Sequence, residues 1–112
     1  MKLSDLIIND VKPVNNNNKV SDLQLLFNQL TYSHIPIKND NNEFIGSLFE
    51  TDVHCFEGQK PIIDYAHALE NFHVKRTTLW LDVLEAFSRN SINIMPVLDE
   101  NNKYLGYYEL ND

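Results

Sequence analysis

The feature that most constrains this chain is an internal repeat with a period of 60 residues. Sliding the sequence by that amount sets Asp22 on Asp82, Phe27 on Phe87, Pro36 on Pro96, Asn41-Asn42 on Asn101-Asn102, Gly46 on Gly106 and Asp52 on Asp112. No gap is needed between residues 18 and 52. Apolar character carries over as well: Val20 meets Trp80, Leu23 meets Val83, Ile35 meets Met95, and Ile37 meets Val97. A small repeated unit cannot bury its apolar face alone, so the two copies are expected to pack on each other. Function is then sought at their junction.

Each copy reads as the same string of elements. The start of the chain suits a short helix over residues 3–9. Val11-Lys12-Pro13-Val14 suits a short edge strand, where proline is tolerated. The run Asn15 to Asn18 reads as a solvated loop. Val20, Leu23, Leu26, Phe27 and Leu30 then fall at helical spacing, with Asn18 as the expected cap. His34 to Lys38 is a strand, Asn39 to Asn42 a turn, and Glu43 to Phe49 the returning strand. Glu50 to Phe56 predicts a helix, Gly58 to Pro61 breaks it, and Pro61 suits the first turn of another helix over 62–69. The second copy repeats this order. Thr78 takes the place of Asn18, and Trp80, Val83, Leu84 and Phe87 form the helix face. Tyr107 and Tyr108 are neighbours on a strand and point to opposite faces, so they cannot share one core.

The passages Leu26-Phe27 through His34-Ile35-Pro36-Ile37 and Phe87 through Ile94-Met95-Pro96-Val97 continue into Phe44-Ile45-Gly46-Ser47-Leu48-Phe49-Glu50-Thr51-Asp52 and Tyr104-Leu105-Gly106-Tyr107-Tyr108-Glu109-Leu110-Asn111-Asp112. Together they resemble a tandem pair of CBS domains, the cystathionine-beta-synthase type of regulatory module. The resemblance implies an α+β fold: two β-α-β-β-α units packed sheet to sheet about a pseudo-twofold axis. The units divide as residues 1–60 and 61–112. The second unit reaches Asp112 where its last helix would start, so that helix is expected to be missing. The resemblance further implies clefts between the units that take adenosine compounds, and pairing into homodimers that serve an attached or partner effector domain.

Carried onto this sequence, the resemblance puts the ribose-binding carboxylate at Asp52 and Asp112. It puts His34, Ile35, Pro36, Met95 and Pro96 beside the clefts. A carboxylate accepting from two vicinal hydroxyls makes strong bonds. Asp52 also suits a helix cap. Where the family has a hydroxyl residue that meets a phosphate, this chain has Phe49 and Glu109. Phe49 has nothing to donate, and Glu109 would sit beside a like charge. S-adenosylmethionine or adenosine is therefore favoured over AMP or ATP. A ligand-free module that only holds a dimer together stands beside that reading.

Composition narrows the remaining classes. A net charge of −7 and a pI near 4.9 argue against nucleic acid and anionic membranes as partners. Cys55 is the single cysteine, which excludes an intramolecular disulfide and a Cys-based zinc set. No apolar run is long enough to span a bilayer and the first residues lack a signal-peptide pattern, so a reducing, cytoplasmic setting is expected. His34, His54, His67 and His73 are scattered, with no pair at metal-ligand spacing. Lys75-Arg76 could meet a phosphate or be a solvated strand end. No catalytic constellation is present, so the chain is read as a non-enzyme.

Overall fold

The two Asn/Asp turns organise everything around them. Asn39 Oδ1 accepts from the amides of Asn41 (2.9 Å) and Glu43 (3.0 Å). Asp99 Oδ1 does the same for Asn101 (2.8 Å) and Lys103 (3.0 Å). These bonds, led by that from Lys103, hold the Asp99 carboxyl below its usual range. Asn42 and Asn102 take left-handed φ values of 61° and 64°, which Asn tolerates better than most residues. Each turn reverses the chain into an antiparallel hairpin.

The structure is a computed structural model and describes residues 6–110. The first unit contains β1 (Val14–Asn15), α1 (Val20–Gln29), β2 (His34–Lys38), β3 (Phe44–Phe49) and α2 (Glu50–His54). A 3₁₀ segment, Ile62–Ala68, leads into β4 (Val74–Lys75), α3 (Trp80–Asn90), β5 (Ile94–Leu98) and β6 (Tyr104–Glu109). Two three-stranded sheets result, ordered β1-β2-β3 and β4-β5-β6. The central strand pairs parallel with the first and antiparallel with the third in both sheets. Even the bulge recurs, between Ile37 and Lys38 and again between Val97 and Leu98. The repeat is therefore structural through its three strands and first helix, while α2 has no counterpart among the described residues.

Strand alternation assigns the two faces of each sheet. Ile35, Ile37 and Leu48 join Val20, Leu23 and Phe27 of α1 in one core. Met95, Val97 and Tyr108 join Val83 and Phe87 of α3 in a second. The opposite faces meet at the junction of the units, where Val11, Ile94 and Tyr107 form a third cluster with Leu30 and Tyr32. Tyr107 and Tyr108 are thus both buried, each on its own side. The alternation rule holds, and both sides of the sheet are covered.

Several local expectations are corrected. The N-cap positions of α1 and α3 are Lys19 and Leu79, with no side-chain cap, not Asn18 and Thr78. The first α1 amides bond to a distant loop instead: Val20 N–H to Lys60 O and Ser21 N–H to Gly58 O, both at 2.9 Å. The Thr78 hydroxyl accepts from the Lys75 amide at 2.9 Å. The first edge strand is Val14–Asn15, and α2 ends at His54. Of the helix expected over 3–9, residues 3–5 lie outside the described residues, and Ile8 pairs antiparallel with Tyr107. Trp80 and Leu84, expected in the core, are 44% and 36% exposed. In the first unit, α2 and the 58–60 loop lie over the matching flank of α1. Among the described residues nothing equivalent covers α3.

Candidate functional site: two unequal clefts

The junction face of β2 and β3 carries His34, Pro36, Ser47 and Phe49, because His34 pairs with Phe49 and Pro36 with Ser47 across the strands. His34 is almost fully buried yet both ring nitrogens are engaged. Nδ1 lies 2.8 Å from Ser33 Oγ and Nε2 lies 2.9 Å from Glu70 Oε2. Its ring stacks on Phe49 at 5.1 Å and meets the edge of Phe72 at 4.9 Å. Burial lowers its pKa from the usual imidazole value, opposed by the hydrogen bond and charge of Glu70 and the charge of Asp52. Burial thus favours the uncharged ring. It then donates from Nε2 to Glu70 and accepts at Nδ1 from Ser33. Glu70 is held there by the backbone, since Ser47 and Glu70 exchange amide bonds at 2.8 and 2.9 Å.

A pocket of about 250 Å³ opens on this cluster, lined by His34, Phe49, Glu70, Asn90 and Ser91. The last two close it from the end of α3, so both units contribute. None of these lining residues is Lys or Arg. On the same face of the sheet, outside the pocket lining, the Ser47 hydroxyl is buried and has no hydrogen-bond partner. Asp52 is exposed in the first turn of α2, where a carboxylate suits the helix dipole. The cap position itself is Phe49, so Asp52 is not a cap. Its side chain stays available to solvent, near enough to His34 to act on it electrostatically.

The symmetry-related cleft is built differently. Tyr32 donates to Glu109 Oε2 at 2.5 Å, and its oxygen lies 3.0 Å from the Tyr107 hydroxyl. Tyr107 donating to Tyr32 gives a satisfied chain of bonds. The Tyr32 and Tyr107 rings meet edge to face at 5.2 Å. Tyr104 donates to Val11 O at 3.1 Å. Burial raises the Tyr32 phenol above its usual range, reinforced by the bond to Glu109. Burial likewise raises Tyr104 and Tyr107. These phenols stay protonated, and their rings fill the space between the units.

The expected site residues thus divide. His34, Pro36 and Phe49 come together at the first cleft, with Asp52 nearby. Pro96 and Glu109 lie on the matching face of the second. Ile35 and Met95 point away, into the cores of their own units. Asp112 lies outside the described residues. Sequence reading missed Ser47, Glu70, Phe72 and Tyr32. The first could have been found by sliding Tyr107 back 60 positions, which exposes a large aromatic set against a small hydroxyl. Lys75 and Arg76 turn out to be occupied. Lys75 donates to Asn102, and Arg76 pairs with Glu100 at 2.9 Å. Among the described residues no group of His, Cys, Asp or Glu could hold a metal.

A family model for the CBS domain matches residues 64–112. Among solved structures, the chain is similar to a CBS domain pair/ACT domain protein from Thermotoga maritima. That match has a TM-score of 0.85 and 18% identity, and covers 98% of this chain and 90% of the other. It is also similar to the CBS domains of a transcriptional regulator from Streptococcus pneumoniae, with a TM-score of 0.83 and 18% identity over 97% of this chain and 92% of that one. At such identities the likeness concerns the fold. A search of curated proteins returned no significant match.

Proposed function

The chain is a CBS domain protein with the fold of a CBS pair, and from that premise we propose that it is a regulatory module sensing an adenosine compound between its two units. The observation that carries this reading is the first cleft. It offers a pocket with aromatic walls at Phe49 and His34 and a carboxylate at Glu70, and Asp52 stands close by. A nucleoside suits such a lining: its base presents a flat aromatic face, and its ribose hydroxyls donate to a carboxylate. A phosphate does not, because Glu70 lines the pocket, Asp52 is near, and no cation lines it. S-adenosylmethionine or adenosine is therefore preferred over AMP or ATP. Binding would act by favouring one of two arrangements of the pair, passed to an attached or partner effector domain.

Calorimetry tests this directly. Adenosine or S-adenosylmethionine is expected to bind, with AMP and ATP weaker. Asp52→Ala is expected to weaken the bound nucleoside about tenfold or more, the usual worth of a charged hydrogen bond. Submicromolar ATP binding, or an affinity indifferent to Asp52→Ala, would overturn the reading.

A second reading, a ligand-free dimerisation module, is favoured by the second cleft, which its own side chains fill. Both readings include a homodimer. Leu79 (72% exposed), Trp80 and Leu81 (78% exposed) form an apolar flank on α3, and like subunits usually bury such surface isologously. Light scattering at micromolar concentration is expected to give the dimer mass, and Leu81→Glu to lower it toward the monomer. A monomer mass for the unmodified chain would contradict this. The net charge of −7 keeps nucleic acid and anionic membranes off the list of proposed partners. No helix among the described residues is long and apolar enough to cross a membrane. A cytoplasmic site remains our proposal, on the lack of a signal-peptide pattern in the first residues.

A further inference from the structure

We propose that the two clefts are unequal by construction: small-molecule binding is confined to the first, and the repeat pair Ser47/Tyr107 decides it. This rests on the nucleoside reading above and adds which cleft is used and which side chain selects it.

The two residues occupy the same place in the repeat. Ser47 pairs with Pro36 on β2, and Tyr107 pairs with Pro96 on β5. Each therefore points to the junction face of its sheet. Tyr107 is 1% exposed and fills its cleft, with Tyr32, Val11, Ile94 and Tyr104 around it. Its hydroxyl is bonded to Tyr32, which in turn donates to Glu109. Both donors and the carboxylate are thus engaged within the protein. A ligand there would have to displace three ordered side chains and break their bonds.

The first cleft has the smaller set at the same positions. Ser47 stands for Tyr107, Asn90 for Leu30, Asn71 for Val11 and His34 for Ile94. A pocket opens on this side between His34, Phe49, Glu70, Asn90 and Ser91, and Ser47 is joined to its lining residue Glu70 by two backbone hydrogen bonds. Ser47 is itself 1% exposed, and its hydroxyl has no partner. A buried hydroxyl without a partner carries a desolvation cost, which a ligand would relieve by displacing the Glu70 side chain and reaching the residue behind it. The pocket wall is aromatic at Phe49, its charged group is the Glu70 carboxylate, and it lacks a lining cation. The ligand class that fits is a neutral or cationic heteroaromatic molecule bearing hydrogen-bonding groups, such as a nucleoside.

Calorimetry with adenosine on the full chain provides the test, with Ser47→Tyr, Ser47→Ala and Glu109→Thr. The unmodified chain is expected to bind one equivalent per chain. Ser47→Tyr, which copies the plug of the second cleft, should abolish the heat. Ser47→Ala should weaken binding about tenfold while leaving the melting temperature equal or higher, since it removes an unpaired buried group. That variant keeps the test decisive even where Ser47→Tyr fails to fold. Glu109→Thr should leave stoichiometry and affinity unchanged, because Tyr32 and Tyr107 still fill the second cleft. Two equivalents in the unmodified chain, or an isotherm indifferent to Ser47→Ala, would overturn the confinement while leaving nucleoside sensing intact. No heat at all from the unmodified chain would overturn both.

Discussion

Gly106→Ala is expected to destabilise the chain by about 3 kcal/mol or more, a large part of the stability of a small domain. Two costs combine. Gly106 has φ +152°, a region that side-chain-bearing residues rarely adopt, and such strain costs on the order of 1–3 kcal/mol. An added Cβ would also fall 2.4 Å from Ile8 O and 2.6 Å from Ile7 Cγ2. The first of these is backbone and cannot swing aside. It is also the acceptor for the Tyr107 amide at 2.8 Å, and Ile8 N–H returns a bond of the same length to Tyr107 O. Relieving the clash means parting the segment around Ile8 from β6. Gly46 supplies an internal comparison. Its φ is +131°, but the nearest atom to an added Cβ is Leu69 Cβ at 3.0 Å, followed by Glu70 O at 3.2 Å. Gly46→Ala should therefore cost less, about 2 kcal/mol. Urea unfolding of both variants measures the difference. A Gly106→Ala midpoint close to that of the unmodified chain would refute the close approach of residues 7–8.

Phe27→Ala should cost about 4 kcal/mol, within the range for deleting a buried aromatic ring. Phe27 is 1% exposed in a core closed by α1, the first sheet, α2 and the 3₁₀ segment. Val53 and Ile62 seal that core from residues well beyond the strands. The cavity has nowhere to collapse, so most of the loss is retained. Phe87 occupies the same repeat position and is 3% exposed. Its helix, however, carries an open flank at Trp80 and Leu84. Relaxation and water entry are easier there, and Phe87→Ala should cost about 3 kcal/mol. Chemical denaturation of the two single variants, at a concentration low enough to dissociate the proposed dimer, gives the ordering. A larger loss at Phe87 under those conditions would refute it.

Much of this protein was legible in its sequence because the signals were local or repeated. The Asn/Asp turns at 39–43 and 99–103 depend on bonds two to four residues apart, which composition alone can announce. The 60-residue period carried the strand order, the paired glycines and the family resemblance, because two copies agreeing in one frame reinforce weak motifs. The start of α1 was not legible, since its amides bond to Gly58 and Lys60, some forty residues away. Nor was the exposure of Trp80. Its periodicity is that of a core residue, and only the absence of a covering element among the described residues leaves it in solvent.

The candidate site divides along the same line. That Phe49 and Glu109 replace a hydroxyl residue, and that Asp52 stands at the start of a helix, could be read from the chain. Which cleft stays open could not. That depends on Tyr32 reaching Glu109, 77 residues away, and on Glu70 reaching His34, 36 residues away. Repetition gives both clefts one backbone. The room inside each is decided by the volume and hydrogen bonds of side chains from distant segments, and only packing brings those together.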